Sequence, residues 1–187
     1  MPLNLPIFLT WCRIGAILFL VGIFYLPEAF LAAQPRNVLA CAIFILAALT
    51  DWLDGFLARR LNQTSAFGAF LDPVADKLMV ATTLILLLQL GRCDAVLALI
   101  IIGREIAISA LREWMAKIGK SKSVAVSMIG KIKTTAQMVA LPLLLYAAPV
   151  FGIETLFWGN VLLFLAAILT LWSMFYYLSK ALPELKE

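Results

Sequence analysis

The chain has 187 residues, of which 64% are hydrophobic and 14% are charged. Soluble domains contain about 45 to 50% apolar residues, so this composition excludes an ordinary soluble domain and indicates a protein that lies in a lipid bilayer. The net charge of +4 suits attraction to anionic lipid headgroups, or it serves only to set the topology of the chain.

Apolar stretches divide the sequence into similar units. A helix that spans a bilayer needs about 20 predominantly apolar residues, and short segments with turn-forming residues separate the stretches. The pattern predicts an all-α polytopic membrane protein, a six-transmembrane-helix bundle that forms a single domain over residues 1–187. The predicted helices lie near residues 8–33, 37–58, 67–90, 94–116, 125–148 and 153–179.

Basic residues predict the orientation of this bundle. Arg59 and Arg60 follow the second stretch, and three lysines lie in 117–122 after the fourth, whereas the loops on the other side hold only Arg36 and Arg92. Because loops rich in lysine and arginine stay in the cytoplasm, both termini are predicted to be cytoplasmic.

Four aspartates, Asp51, Asp54, Asp72 and Asp76, lie at the adjoining ends of the second and third stretches. At about 100° per residue, each pair falls on one face of its helix. A carboxylate inside a membrane costs free energy and is a functional candidate by default. The short connection between the stretches allows the two polar faces to meet near the cytoplasmic surface.

A metal site is the chemistry that these carboxylates favour. The sequence contains no histidine, and its three cysteines are scattered, so the ligands would all be oxygen atoms, which suit Mg²⁺ or Mn²⁺. Two such ions would neutralise the four charges and could hold a diphosphate. Without histidine, proton transfer falls to a carboxylate, a lysine, a tyrosine or water.

Two other interpretations of the aspartates stay open. They could be helix caps or salt-bridge partners of the neighbouring basic residues Arg59, Arg60 and Lys77. In a different functional class, an acidic site inside a membrane protein is also typical of a divalent-cation channel or transporter.

The spacing of the aspartates resembles the signature of the CDP-alcohol phosphotransferase family. The resemblance implies a six-helix membrane enzyme, usually a homodimer, that moves a phosphatidyl or similar group from a CDP-linked donor to an alcohol and releases CMP. The matching positions are Asp51, Asp54, Gly55, Ala58, Arg59, Gly68, Asp72 and Asp76.

This resemblance also implies a role for each residue. Asp51, Asp54 and Asp72 would bind metal, and Asp76 would bind the second metal and act as the catalytic base. An N-terminal segment resembles the family's pre-helix segment, although an amphipathic anchor at the membrane interface is an equal alternative. The implied CDP-diacylglycerol-binding residues are Gly55, Ala58, Arg59, Ser65, Gly68, Asn4 and Thr10.

The segments 72–77, 103–114 and 126–138 resemble those of family members whose acceptor is glycerol 3-phosphate. Guanidinium and hydroxyl groups suit a phosphate, and the predicted acceptor site comprises Arg112, Lys131, Arg104, Lys133 and Thr134. Alternatively, the two arginines pair with the acidic residues beside them. Phosphatidylglycerol, serine or an inositol phosphate stay open as acceptors.

The resulting hypothesis places the enzyme in a bacterial cytoplasmic (inner) membrane, with its active site near the cytoplasmic face and open to lipid. Its expected partners are CDP-diacylglycerol, glycerol 3-phosphate, membrane lipids and a second copy of the chain, with no nucleic acid. Aromatic residues near the predicted helix ends are interpreted as interfacial belts; they are Trp114, Trp158, Trp172, Tyr176 and Tyr177.

Overall fold

The computed structural model describes residues 5–60, 66–119 and 128–182. These residues form α-helices joined by short segments, which confirms the predicted all-α fold class. The helices are α1 Leu5–Gly22, α2 Ala33–Arg60, α3 Ala66–Gln89, α4 Ala95–Lys117, α5 Met128–Tyr146 and α6 Thr155–Ala181.

The boundary between α1 and α2 differs from the predicted one. The first helix was expected to reach residue 33, but α1 ends at Gly22, a 3-10 turn follows, and Leu26 is extended (φ −69°, ψ 139°). Leu26 precedes Pro27, and a proline disfavours helical geometry in the residue before it. The second helix begins at Ala33 rather than at 37, because Pro35 is tolerated in a first helical turn.

The distribution of side chains is that of a membrane protein. Among the residues that the structure describes, three helical segments are long and apolar enough to span a bilayer: Ile7–Tyr25, Ala33–Asp51 and Thr155–Ala181. Large apolar side chains such as Leu99, which is 71% exposed, lie on the outside, and the charged side chains of Arg13, Arg104 and Lys133 are buried. Both features are unusual in a soluble protein. The number of spans, predicted as six, stays a prediction.

Helix α1 contacts both helices that carry the signature aspartates. α1 packs against both α2 and α3, whereas α2 and α3 make little direct contact over the described residues. α6 packs most extensively against α5 and also contacts α4. Gly159 permits the close approach of α5 and α6, since a Cβ there would lie 2.8 Å from the Leu144 side chain.

The connection between α3 and α4 ties one end of the bundle together. The Arg92 guanidinium donates to the carbonyl oxygen of Leu145 at 2.9 Å, to that of Leu144 at 3.3 Å and to Asn37 Oδ1 at 2.8 Å. The Arg92 carbonyl accepts from Asn160 Nδ2 at 3.1 Å. We call this set the Arg92 clasp; it links α2, α5 and α6 to the α3–α4 connection.

Arg36 has a similar structural role near the start of α2. Its guanidinium donates to the carbonyl oxygens of Leu26 and Leu31, at 2.9 and 2.8 Å. These carbonyls lie in the α1–α2 connection, where no helix supplies a partner. Arg36 and Arg92, which were predicted to lie on the non-cytoplasmic side, therefore satisfy backbone acceptors. Their side of the membrane stays a prediction.

Candidate active site

Three of the four signature aspartates have described side chains. Asp51 lies towards the end of α2, and Asp72 and Asp76 lie in the first half of α3. Asp76 lies within electrostatic range of charged side chains on four helices: Arg13, Asp51, Lys77 and Glu105. The predicted site of four aspartates stays a prediction.

The structure describes only some of the predicted donor-site residues. Gly68, which it does describe, is buried near the start of α3. Asn4 and Ser65 lie outside the described residues. The side chains of residues 54–60 and of residue 131 are not described either. The predictions for Asp54, Gly55, Ala58, Arg59 and Lys131 fall on these ranges and stay predictions.

Helix α1 binds both aspartate helices through two polar side chains. Thr10 Oγ1 donates to Asp72 Oδ1 at 2.6 Å, and Arg13 Nη1 lies 2.6 Å from Asp51 Oδ1. Both α1 residues are at most 1% exposed. Being three positions apart, they share one face of the helix. The structure therefore brings Thr10 to the aspartates, and it adds Arg13 to the site.

Sequence reasoning missed Arg13, although a signal was present. It is the charged residue in an otherwise apolar helix, and such residues in membrane helices normally face an internal partner. Its guanidinium offsets part of the acidic charge at Asp51. Side chains of α1 thereby contact one carboxylate oxygen of Asp51 and one of Asp72.

The oxygen atoms at this site are of the type that binds a hard divalent cation. Carboxylate oxygens and the Thr10 hydroxyl converge here without a histidine or thiolate, which is the ligand chemistry of Mg²⁺ or Mn²⁺. Among the side chains that the structure describes, no three Asp, Glu or Cys residues form a group that could hold one ion. A divalent cation is therefore supported by the type of ligand atom and not by a complete group of ligands. The side chain of Asp54 lies outside the described residues.

A small cavity of about 50 Å³ lies beside Asp76, between α3, α4 and α5. Its polar lining comprises Asp76, Lys77, Glu105, Thr134 and Gln137. The cavity thus joins the aspartate region to the polar residues of α4 and α5.

Next to this cavity lies a basic cluster, formed by Arg104, Arg112 and Lys133. Arg104 Nη1 donates to Glu105 Oε1 at 3.1 Å, and Lys133 Nζ donates to the same oxygen. Arg104 Nη2 also donates to Ser173 Oγ at 2.9 Å. Arg104 is 6% exposed and Lys133 is 3% exposed. Two buried cations thus share the Glu105 carboxylate, and Arg112 lies against the same Tyr177 ring as Arg104. A group of cations that outnumbers its carboxylate partner favours an anionic ligand.

The alternative pairing of the arginines is confirmed in part. Arg104 does pair with Glu105. Glu113 instead pairs with Lys117 at 2.9 Å, at an exposed position. Arg112 Nη2 donates to the Tyr177 hydroxyl at 3.4 Å, and no carboxylate of the described residues forms an ion pair with Arg112.

Tyr177 corrects the interpretation of the aromatic residues as interfacial belts. It is 1% exposed, and the guanidinium carbons of Arg104 and Arg112 lie 5.7 and 5.2 Å from its ring centroid. Such cation–π contacts stabilise the arginines in place. Ser173 lies four residues earlier, on the same face of α6. The other four aromatic residues, Trp114, Trp158, Trp172 and Tyr176, are exposed.

Thr134 lies on α5 and lines the cavity, as a predicted acceptor-binding residue should. Its hydroxyl donates to the Gly130 carbonyl oxygen at 2.9 Å. The structure thus brings Arg104, Arg112, Lys133 and Thr134 into one region.

Comparison with known proteins identifies the family of this chain. The family profile described as CDP-alcohol phosphatidyltransferase matches residues 3–172. Three relatives, each named CDP-diacylglycerol--glycerol-3-phosphate 3-phosphatidyltransferase, come from Salmonella choleraesuis (strain SC-B67), Pectobacterium atrosepticum and Escherichia coli (strain K12). They are 53%, 53% and 52% identical over 100% of both chains. The chain therefore belongs to the CDP-alcohol phosphatidyltransferase family.

Proposed function

We propose that the protein transfers the phosphatidyl group of CDP-diacylglycerol to glycerol 3-phosphate and releases CMP. The relatives that share about half of its residues along the full chain carry the name of this reaction. The observation that carries the proposal is the position of the Asp76 cavity, which adjoins a cluster of buried cations through Glu105. A base beside a phosphate-binding region is what a phosphorylated alcohol requires.

The aspartates form the donor side of this site. Asp51, Asp54, Asp72 and Asp76 would hold two Mg²⁺ or Mn²⁺ ions, which when bound neutralise the diphosphate and polarise its phosphorus. Thr10 and Arg13 fix the orientation of Asp72 and Asp51 through one oxygen each. The other donor-binding residues would be Gly55, Ala58, Arg59, Ser65, Gly68 and Asn4.

The basic cluster forms the acceptor side. The phosphate of glycerol 3-phosphate would bind to Arg104, Arg112 and Lys133, assisted by Lys131 and Thr134. Tyr177 keeps two of these cations in position. With the phosphate held there, the hydroxyl end of the acceptor reaches the cavity that Asp76 lines.

The chemical step then follows from this placement. Asp76 accepts the proton of the primary hydroxyl, and the hydroxyl oxygen attacks the phosphatidyl phosphorus. The new oxygen–phosphorus bond forms as the bond to the CMP oxygen breaks, and CMP leaves with the electron pair. The products are phosphatidylglycerophosphate and CMP.

The cellular setting is also part of the proposal. The enzyme would be a single-domain homodimer in a bacterial cytoplasmic membrane, with both termini in the cytoplasm. Glycerol 3-phosphate is water-soluble, so an active site near the cytoplasmic face would receive it directly. CDP-diacylglycerol would enter sideways from the bilayer.

Release of CMP tests the function. Purified protein is given CDP-diacylglycerol, Mg²⁺ and one acceptor at a time: glycerol 3-phosphate, phosphatidylglycerol, serine or an inositol phosphate. We expect CMP with glycerol 3-phosphate, its loss on chelation with EDTA, and recovery when Mg²⁺ is restored. Preference for another acceptor would refute the substrate assignment, and divalent-cation flux in liposomes without CMP release would identify a transporter.

Arg112 is predicted to act on the acceptor alone. Since a hydrogen bond to a charged group contributes about 1.5–3 kcal/mol, Arg112→Ala should raise KM for glycerol 3-phosphate roughly 10- to 100-fold. KM for CDP-diacylglycerol should hardly change. Lys117→Ala removes an exposed cation from the same helix and serves as the control, with both KM values retained. Equal increases for both substrates in Arg112→Ala would contradict the assignment.

A further inference from the structure

Gln137, on α5, is a buried polar residue that none of the roles above uses. It is 4% exposed, and its Oε1 atom has no hydrogen-bond partner among the residues that the structure describes. Leaving a buried acceptor unsatisfied costs about 1–3 kcal/mol. An unsatisfied group of this kind calls for a ligand that donates to it.

The surroundings of Gln137 indicate what that ligand is. Gln137 lines the cavity beside Asp76, together with Glu105 and Thr134. Glu105 already accepts from Lys133 and Arg104, and Thr134 already donates to Gly130. The carboxylates can only accept while they are ionised. Lys77 is the cationic donor of the lining, whereas Asp76, Glu105 and Gln137 offer acceptor oxygens. A ligand with more than one hydroxyl group can donate to these oxygens.

We propose that Gln137 is a specificity-determining residue that accepts a hydrogen bond from the secondary hydroxyl of the acceptor. This inference rests on the proposed function. In glycerol 3-phosphate the secondary hydroxyl is on the carbon next to the reacting one, so the two oxygens lie within hydrogen-bond range of each other. When the primary hydroxyl meets Asp76, the secondary hydroxyl lies in the same small cavity and can reach the Gln137 amide oxygen.

The consequence is selection for phosphorylated diols over phosphorylated simple alcohols. A site built to bind a hydroxyl rejects the analogue that lacks it, because the buried polar group of the protein is then left unpaired. Phosphate recognition by the basic cluster cannot make this distinction, since both kinds of acceptor carry the phosphate.

The experiment compares glycerol 3-phosphate with 3-hydroxypropyl phosphate, which keeps the primary hydroxyl and the phosphate. For the wild-type enzyme we expect kcat/KM to be about tenfold or more lower for the analogue. In Gln137→Met, which keeps the shape and removes the amide, activity on glycerol 3-phosphate should fall and activity on the analogue should persist, so the ratio approaches one. Met138→Leu alters the same cavity without removing a polar group and should retain the wild-type ratio.

Each outcome has a distinct meaning. Equal use of the two acceptors by the wild-type enzyme, or an unchanged ratio in Gln137→Met, overturns the role of Gln137. Equal use of the two acceptors by the wild-type enzyme overturns this role even if the variant fails to fold, and loss of the preference in folded Gln137→Met supports it. A wild-type enzyme that releases no CMP with glycerol 3-phosphate refutes the proposed function instead, and the inference falls with it.

Discussion

Asp76→Asn is expected to lower kcat by about a thousandfold or more while much of the binding of CDP-diacylglycerol persists. A positioned general base contributes about 10²- to 10⁴-fold, and an amide cannot take up the proton of the attacking hydroxyl. Asparagine keeps the shape and an oxygen of the original side chain, so the donor site changes less than the chemistry. Initial rates of CMP release and direct binding of CDP-diacylglycerol to the purified variant measure the two effects separately.

Asp94→Asn is the matched control for this substitution. Asp94 caps α4, where its side chain accepts from the Val96 N–H at 2.7 Å, and asparagine caps helices equally well. Activity and stability should both be retained. A near wild-type rate in Asp76→Asn would exclude this residue as the base and transfer the role to another group.

Glu105→Gln is expected to destabilise the folded protein by about 3–5 kcal/mol, the usual cost of removing one partner from a buried ion pair. The neutral side chain would leave Arg104 and Lys133 buried without the carboxylate that both contact. For a chain of this size, the corresponding fall in Tm is on the order of 10 °C. Thermal unfolding of the purified protein in detergent measures it.

Glu113→Gln provides the comparison on the same helix. Its ion pair with Lys117 has both side chains at least 70% exposed, and exposed ion pairs contribute little to stability. Tm should therefore stay close to the wild-type value. If Glu105→Gln also unfolded at the wild-type temperature, the carboxylate would not be needed to balance the basic cluster.

The sequence predicted the helices well because they depend on local patterns. Hydropathy places the six helices to within a few residues, except where Pro27 ends the first one early. Helical spacing also puts Asp72 and Asp76 on one face of α3. These features arise from backbone periodicity and the cost of buried charge, which are readable without knowing how the helices pack.

Contacts between distant segments could not be predicted in the same way. The two aspartate faces were expected to meet directly, whereas Thr10 and Arg13 of α1 contact both aspartate helices. Tyr177 was assigned to the interface from its place near a helix end, but it packs beneath two arginines of α4. Which face of a helix is buried depends on its neighbours, and periodicity does not identify them.

The Arg92 clasp has a consequence for how a lipid substrate enters. A donor with two acyl chains has to pass between helices to reach the aspartates, so part of the bundle must separate. Asp76 and Gln89, at the end of α3 next to the clasp, are about 20 Å apart along the helix axis. Since hydrogen bonds from Arg92 and Asn160 hold α2, α5 and α6 together there, we expect that end to act as a pivot, with the widest opening at the aspartate end.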